Sequence, residues 1–145
     1  KDQQTLSGWM RDLYGFDLES VLQKQQDLLM ENGNGILLAP ERLFSEFFSL
    51  PFSSYGMNAF KRIPGGFQIS HEFAARFGIS FQQGCVVLNE EQSRAYWGRQ
   101  DIFDISIRKD WMGETLLVKD ESGRVLGRAK ALKDRLKNLL PTRLY

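Results

Sequence analysis

Between residues 123 and 145 the sequence GRVLGRAKALKDRLKNLLPTRLY sets seven basic side chains, Arg124, Arg128, Lys130, Lys133, Arg135, Lys137 and Arg143, against one acid, Asp134. Of the chain's 19 basic and 18 acidic residues, 12 and 17 are left for the other 122 positions. A segment of charge +6 beside a remainder of −5 has an oriented field, although the whole carries only +1. The chemistry open to it is ionic: ammonium and guanidinium groups displace counterions from a polyphosphate, and their release drives binding. RNA or DNA is the natural partner, and a solvated face that serves solubility is the competing reading. Phe60 beside Lys61 and Arg62, and Trp97 between Arg94 and Arg99, are rings near cations that can stack on unpaired bases. Helical spacing places most such rings in a core instead.

Covalent chemistry finds little to work with. The one cysteine, Cys85, lies in the apolar run GCVVL, and the one histidine is His71. A reactive thiolate needs an electropositive, partly open site, so Cys85 reads as a buried structural residue with no catalytic role. One His and one Cys do not make a structural zinc site. GNG and PGG lack the strand, glycine pattern and helix of a dinucleotide loop, and no phosphate-loop Lys follows them, so both read as turns. Glu90-Glu91 and Asp120-Glu121 open a helix and a hairpin turn, which accounts for them without acid/base work.

The elements that must position the basic segment follow from spacing. Leu6, Trp9, Met10, Leu13 and Tyr14 predict a first helix that Gly15 stops. Leu18, Val21, Leu22, Gln25 and Leu29 fit a second helix, while DLLMENGNGILLAP reads as two strands about an Asn-Gly turn; helix then hairpin is the favoured order. Pro40 and Glu41 open a helix over PERLFSEFFSLP. Extended chain broken at Pro64-Gly65-Gly66 comes next, then a helix capped by Ser70 and closed by Gly78. GCVVL predicts a buried strand, and Asn89 with Gln92 a capping box for EEQSRAYW, ended by Gly98. ETLLVKD and GRVLGRAKAL predict a hairpin around Glu121-Ser122-Gly123. Leu132, Leu136 and Leu139 predict a last short helix, cut off by Pro141.

Short helices interrupting short strands imply an α+β or small barrel-like fold, and 145 residues with 42% hydrophobic content suffice for one domain or two small ones. A boundary near residue 58 divides a small α+β segment, 1–58, from a second domain, 59–145. A single cysteine and the lack of any 18-residue apolar run fit a cytoplasmic chain that does not enter a membrane. The start Lys-Asp-Gln-Gln, without Met, reads as part of a longer polypeptide.

Four stretches, GILLAPE (35–41), GGFQISHEFAARFG (65–78), LNEEQSRAYWGRQDI (88–102) and LLVKDESGRVLGRAKALKDRLKNLLPTRL (116–144), resemble the C-terminal part of the RsmF family of bacterial ribosomal-RNA cytosine-C5 methyltransferases. The last two are the specific ones. The resemblance implies a PUA-like mixed pseudo-barrel that binds RNA, preceded by the small α+β segment. It further implies that the methyltransferase domain, with its S-adenosylmethionine pocket and catalytic cysteines, lies before Lys1, so that this chain holds no cofactor and is not by itself an enzyme. The implied partners are ribosomal RNA or the small ribosomal subunit, and the methyltransferase domain. Carried onto this sequence, the RNA contacts are Arg128, Lys130, Lys133, Arg135, Lys137 and Asn138, with Gly127 allowing close backbone approach and Arg99 and His71 as outlying members. Three have bland alternatives: helix-start packing for His71, a strand bulge for Gly127 and a cap for Asn138. A rival function is a protein-interaction module docking on a methyltransferase core or ribosomal protein through the aromatics of residues 44–60.

Overall fold

The computed structural model describes residues 2–40, 57–64 and 66–141. The chain divides into two compact units, Lys1–Phe73 and Ala74–Tyr145. The boundary expected at residue 58 falls inside a strand, Met57–Ile63, that pairs with Gly35–Pro40.

The first unit opens with helices α1 (Asp2–Tyr14) and α2 (Leu18–Gln25). Leu6, Met10, Leu13 and Tyr14 bury the inner face of α1 as their spacing predicts. Gly15 ends it at a φ of 63°, its N–H returning to the Arg11 carbonyl. Asp17 caps α2 by accepting from the Ser20 N–H at 3.1 Å. Strands β1 (Asp27–Asn32), β2 (Gly35–Pro40), β3 (Met57–Ile63) and β4 (Gly66–Ile69) form an antiparallel meander in that order. The β1–β2 turn centres on Gly33 at a φ of 62°, a left-handed conformation that glycine adopts freely. The expected helix over residues 40–51 lies outside the described residues beyond Pro40. Phe60 is 3% exposed and packs on Phe73 with ring centroids 4.6 Å apart. The reading of Phe60 as a base-stacking ring is thereby corrected: its place in β3 turns it into the core.

Helix α3 (His71–Phe77) follows, with the Ser70 hydroxyl accepting from the Phe73 N–H at 2.9 Å as predicted. The second unit holds strands β5 (Cys85–Leu88), β6 (Thr115–Asp120), β7 (Val125–Ala131) and β8 (Leu136–Asn138), in that order, with helix α4 (Glu90–Trp97) between β5 and β6. β5 and β6 are parallel and the other pairs antiparallel, so the β5–α4–β6 segment is the crossover that a parallel pair requires. The α4 capping box is complete: Asn89 Oδ1 accepts from the Gln92 N–H at 2.8 Å and Gln92 Oε1 from the Asn89 N–H at 3.0 Å. β5 is less buried than its apolar sequence predicts, with Val87 59% exposed and Cys85 half-buried, because its side chains alternate across a sheet covered unequally on its two faces.

The architecture is α+β, with each four-stranded sheet open among the described residues. One element differs from expectation. Residues 132–141 form a turn and then strand β8, not a helix. The Leu132 N–H closes the turn on the Arg135 carbonyl at 2.9 Å, and Leu136 exchanges both backbone hydrogen bonds with Ile102, at 2.8 and 3.0 Å. A helix of that length gains little by itself. As a strand the same residues cover the otherwise open edge of β7 and bury Leu136 to 1% exposure.

Candidate nucleic-acid interface

Most of the basic residues singled out in the sequence lie on or beside the β7–β8 hairpin. Along β7 the half-buried Arg128 and Lys130 alternate with buried Gly127, Ala129 and Ala131, so the two cations share the face turned from the core. Pairing sets Lys130 directly opposite Lys137 of β8, and Lys133 stands exposed in the connecting turn.

Ion pairing and hydrogen bonding separate these cations into two groups. Arg124 binds Asp120 at 2.9 Å in the β6–β7 turn, and Arg135 binds Asp101 at 3.3 Å and Asp134 at 3.8 Å. Arg128 sends a guanidinium N–H to the Leu139 carbonyl at 3.4 Å. Arg99 donates to the carbonyls of Leu140 and Pro141. The side chains of Lys130, Lys133 and Lys137 make no ion pair or hydrogen bond with any of the described residues. Two ammonium groups directly opposite on neighbouring strands repel each other. An anion between them removes that cost. Arg143 lies outside the described residues.

The hairpin is held in place by α4. Tyr96, 1% exposed, donates its hydroxyl to the Arg128 carbonyl at 2.7 Å, and burial pushes its phenol up to about 12. Gly127 makes this approach possible, since a Cβ there would overlap the Tyr96 hydroxyl oxygen. A register shift between Val118 and Lys119 of β6 sets a bulge beside Gly127, the alternative that its place in a strand left open. Its close approach serves the Tyr96 ring.

Asn138 fastens the other strand. Its amide donates to the carbonyls of Tyr96 and Gln100, both at 2.9 Å, its side-chain oxygen accepts from the Leu140 N–H, and its own N–H reaches Asp101 Oδ1. Both amide protons are used within the domain, the capping role that its position before Pro141 left open. His71 stands half-buried at the first position of α3, in the other unit. Two residues that the sequence reading left out also bear on the hairpin. Asp101 neutralises Arg135 from 34 positions away, a pairing no local pattern signals, and Phe103 is half exposed under the Arg135 guanidinium.

Of the glycines read as turns in the sequence, Gly33 lies in the turn between β1 and β2 and Gly66 opens β4. No described helix is long and apolar enough to cross a membrane.

Over 133 residues, 89% of its length, the chain is 31% identical to the ribosomal RNA small subunit methyltransferase F of Psychromonas ingrahamii. Over this stretch the chain is similar to a member of the RsmF family. It spans about a quarter of that relative's length, 27%. No family model matches the chain.

Proposed function

We propose that this chain is the RNA-binding C-terminal portion of an S-adenosylmethionine-dependent ribosomal-RNA (cytosine-C5) methyltransferase of the RsmF kind, working in the cytoplasm. In this reading residues 59–145 include a PUA-like domain that grips ribosomal RNA, on its own or in the small subunit. A catalytic domain elsewhere in the polypeptide binds the cofactor and transfers the methyl group. The observation that carries it is the Lys130–Lys137 cross-strand pair, two cations opposed without an acid among the described residues. Arg128 extends the same face, and Lys133 stands at its end.

The rival reading, a protein-docking module, drew on aromatics of residues 44–60. Of these the described ring, Phe60, is buried, and the others lie outside the described residues. The test is binding of the 145-residue chain to small-subunit ribosomal RNA by fluorescence anisotropy. Micromolar or tighter affinity that weakens on changing Lys130 and Lys137 together to Gln supports the proposal. Equal binding by parent and double variant, with the fold intact by circular dichroism, overturns it.

A further inference from the structure

Phe103 is a large aromatic left 51% exposed. Its surroundings give it a chemistry. The bridge between Ile102 and Leu136 is antiparallel, so Phe103 falls opposite Arg135, and both stand on the face turned from the buried Ile102 and Leu136. The Arg135 guanidinium lies 5.8 Å from the Phe103 ring centroid. Lys137 flanks Leu136 on the same side as Arg135, and Lys130 is its neighbour across the strand pair. A half-exposed ring, a guanidinium and two ammonium groups without a partner among the described residues therefore border one edge of the second unit.

The two kinds of cation differ. With Asp101 and Asp134 upon it, Arg135 offers little net charge, but its planar guanidinium is held in one place. Such a plane, like the ring beneath it, is a surface for stacking more than for neutralising phosphate. Phosphates fall to Lys130 and Lys137, whose charges no described residue compensates. A rigid duplex keeps its bases stacked on one another and offers such a ring nothing, whereas an unpaired nucleotide brings a base face and a phosphate together.

We infer that Phe103, steadied by Arg135, receives an unpaired nucleobase of the RNA whose backbone meets Lys130 and Lys137, so that the ligand of this face is a loop, bulge or single strand. The inference rests on the RNA-binding reading above and names the class of RNA.

The experiment uses the 145-residue chain with two RNAs of equal charge, a hairpin with an unpaired loop and a fully paired duplex, and four proteins: parent, Phe103→Leu, Phe103→Tyr, and Lys130→Gln with Lys137→Gln. Phe103→Leu keeps the apolar bulk and removes the π face. It is expected to weaken loop binding about 5- to 150-fold. It should leave duplex binding and the salt dependence unchanged. Phe103→Tyr should restore the loop affinity, and a 2-aminopurine in the loop should lose fluorescence on binding to parent and Tyr variant only. The lysine double variant should weaken both RNAs. If Phe103→Leu binds the loop as well as the parent while the lysine variant weakens both, the stacking site is wrong and the phosphate reading stands. If the lysine variant binds like the parent, the phosphate reading fails. Equal weakening of loop and duplex by Phe103→Leu also overturns the inference, since the ring would then act by supporting the hairpin.

Discussion

Replacing Gly127 by Ala tests whether the α4–β7 contact holds the basic hairpin in place. The added Cβ would overlap the Tyr96 hydroxyl oxygen and lie 3.3 Å from Tyr96 Cζ and 3.4 Å from Leu140 Cδ2. The ring has no room to retreat, being 1% exposed and tied by its hydroxyl to Arg128 at 2.7 Å. Overpacking of a filled core costs about 1–3 kcal/mol, and losing the hydrogen bond adds about 0.5–1.5 kcal/mol, so Gly127→Ala should cost about 2–4 kcal/mol. Tyr96→Phe alone should cost about 0.5–1.5 kcal/mol, because the Arg128 carbonyl keeps the Leu139 N–H at 3.3 Å. In the Tyr96→Phe background the clashing oxygen is gone, and the alanine should cost about 1–2 kcal/mol less than in the parent. Strain from the backbone φ of 158° is common to both backgrounds and cancels in the cycle. Native-state hydrogen exchange of the β6–β7 amides reads the second unit by itself. An alanine penalty that is the same in both backgrounds would refute the steric account.

Three further outcomes follow from the same geometry. Asn138→Ala deletes two donors and an acceptor at the end of β8 and should cost about 2–3 kcal/mol, read by loss of exchange protection in residues 136–140, and Asn138→Asp should not rescue it, since a carboxylate oxygen cannot donate to the Tyr96 and Gln100 carbonyls. The Arg124 backbone N–H, followed by its guanidinium and the Ser122 N–H, holds the Asp120 carboxyl below the usual carboxylate range. A depressed folded value means stability that is present at neutral pH and lost as pH falls through that value, so Asp120→Asn should flatten the acid limb of a stability titration below about pH 4. Burial pushes the Cys85 thiol up, with Lys119 partly opposing, so alkylation at pH 7 should be slower than that of an exposed cysteine and should rise only in the alkaline range; fast labelling at pH 7 contradicts the placement.

What could be read in the sequence was local. The Asn89–Gln92 box, the Ser70 cap, Gly15 and the Gly33 turn each depend on residues within four positions, and each forms as its residue types require. β8 was hidden because Leu132, Leu136 and Leu139 fit a helical face, whereas what decides their state is the open edge of β7 and a bridge to Ile102, 34 positions away. The same holds for the site. Charge counting located the basic segment but not which charges are free. Arg135 is paired by Asp101, and Asn138 bonds Tyr96 and Gln100 across separations of 42 and 38 residues. Phe103 escaped notice because its two neighbours in sequence are acidic and apolar, and its cation arrives only through β8.

The central claim is that unpaired lysines, and not the total charge of the segment, bind RNA. It is tested most directly by the salt dependence of ribosomal-RNA affinity for three proteins: the parent, the triple variant Lys130→Gln, Lys133→Gln and Lys137→Gln, and Arg124→Gln, whose guanidinium is already paired with Asp120. Each phosphate contact contributes about 0.7–0.9 to the slope of log affinity against log salt, so the triple variant should lose about 2–3 from the slope and Arg124→Gln close to none. A folded triple variant with the parent's slope, or an Arg124→Gln loss as large per charge as that of the lysines, would contradict it.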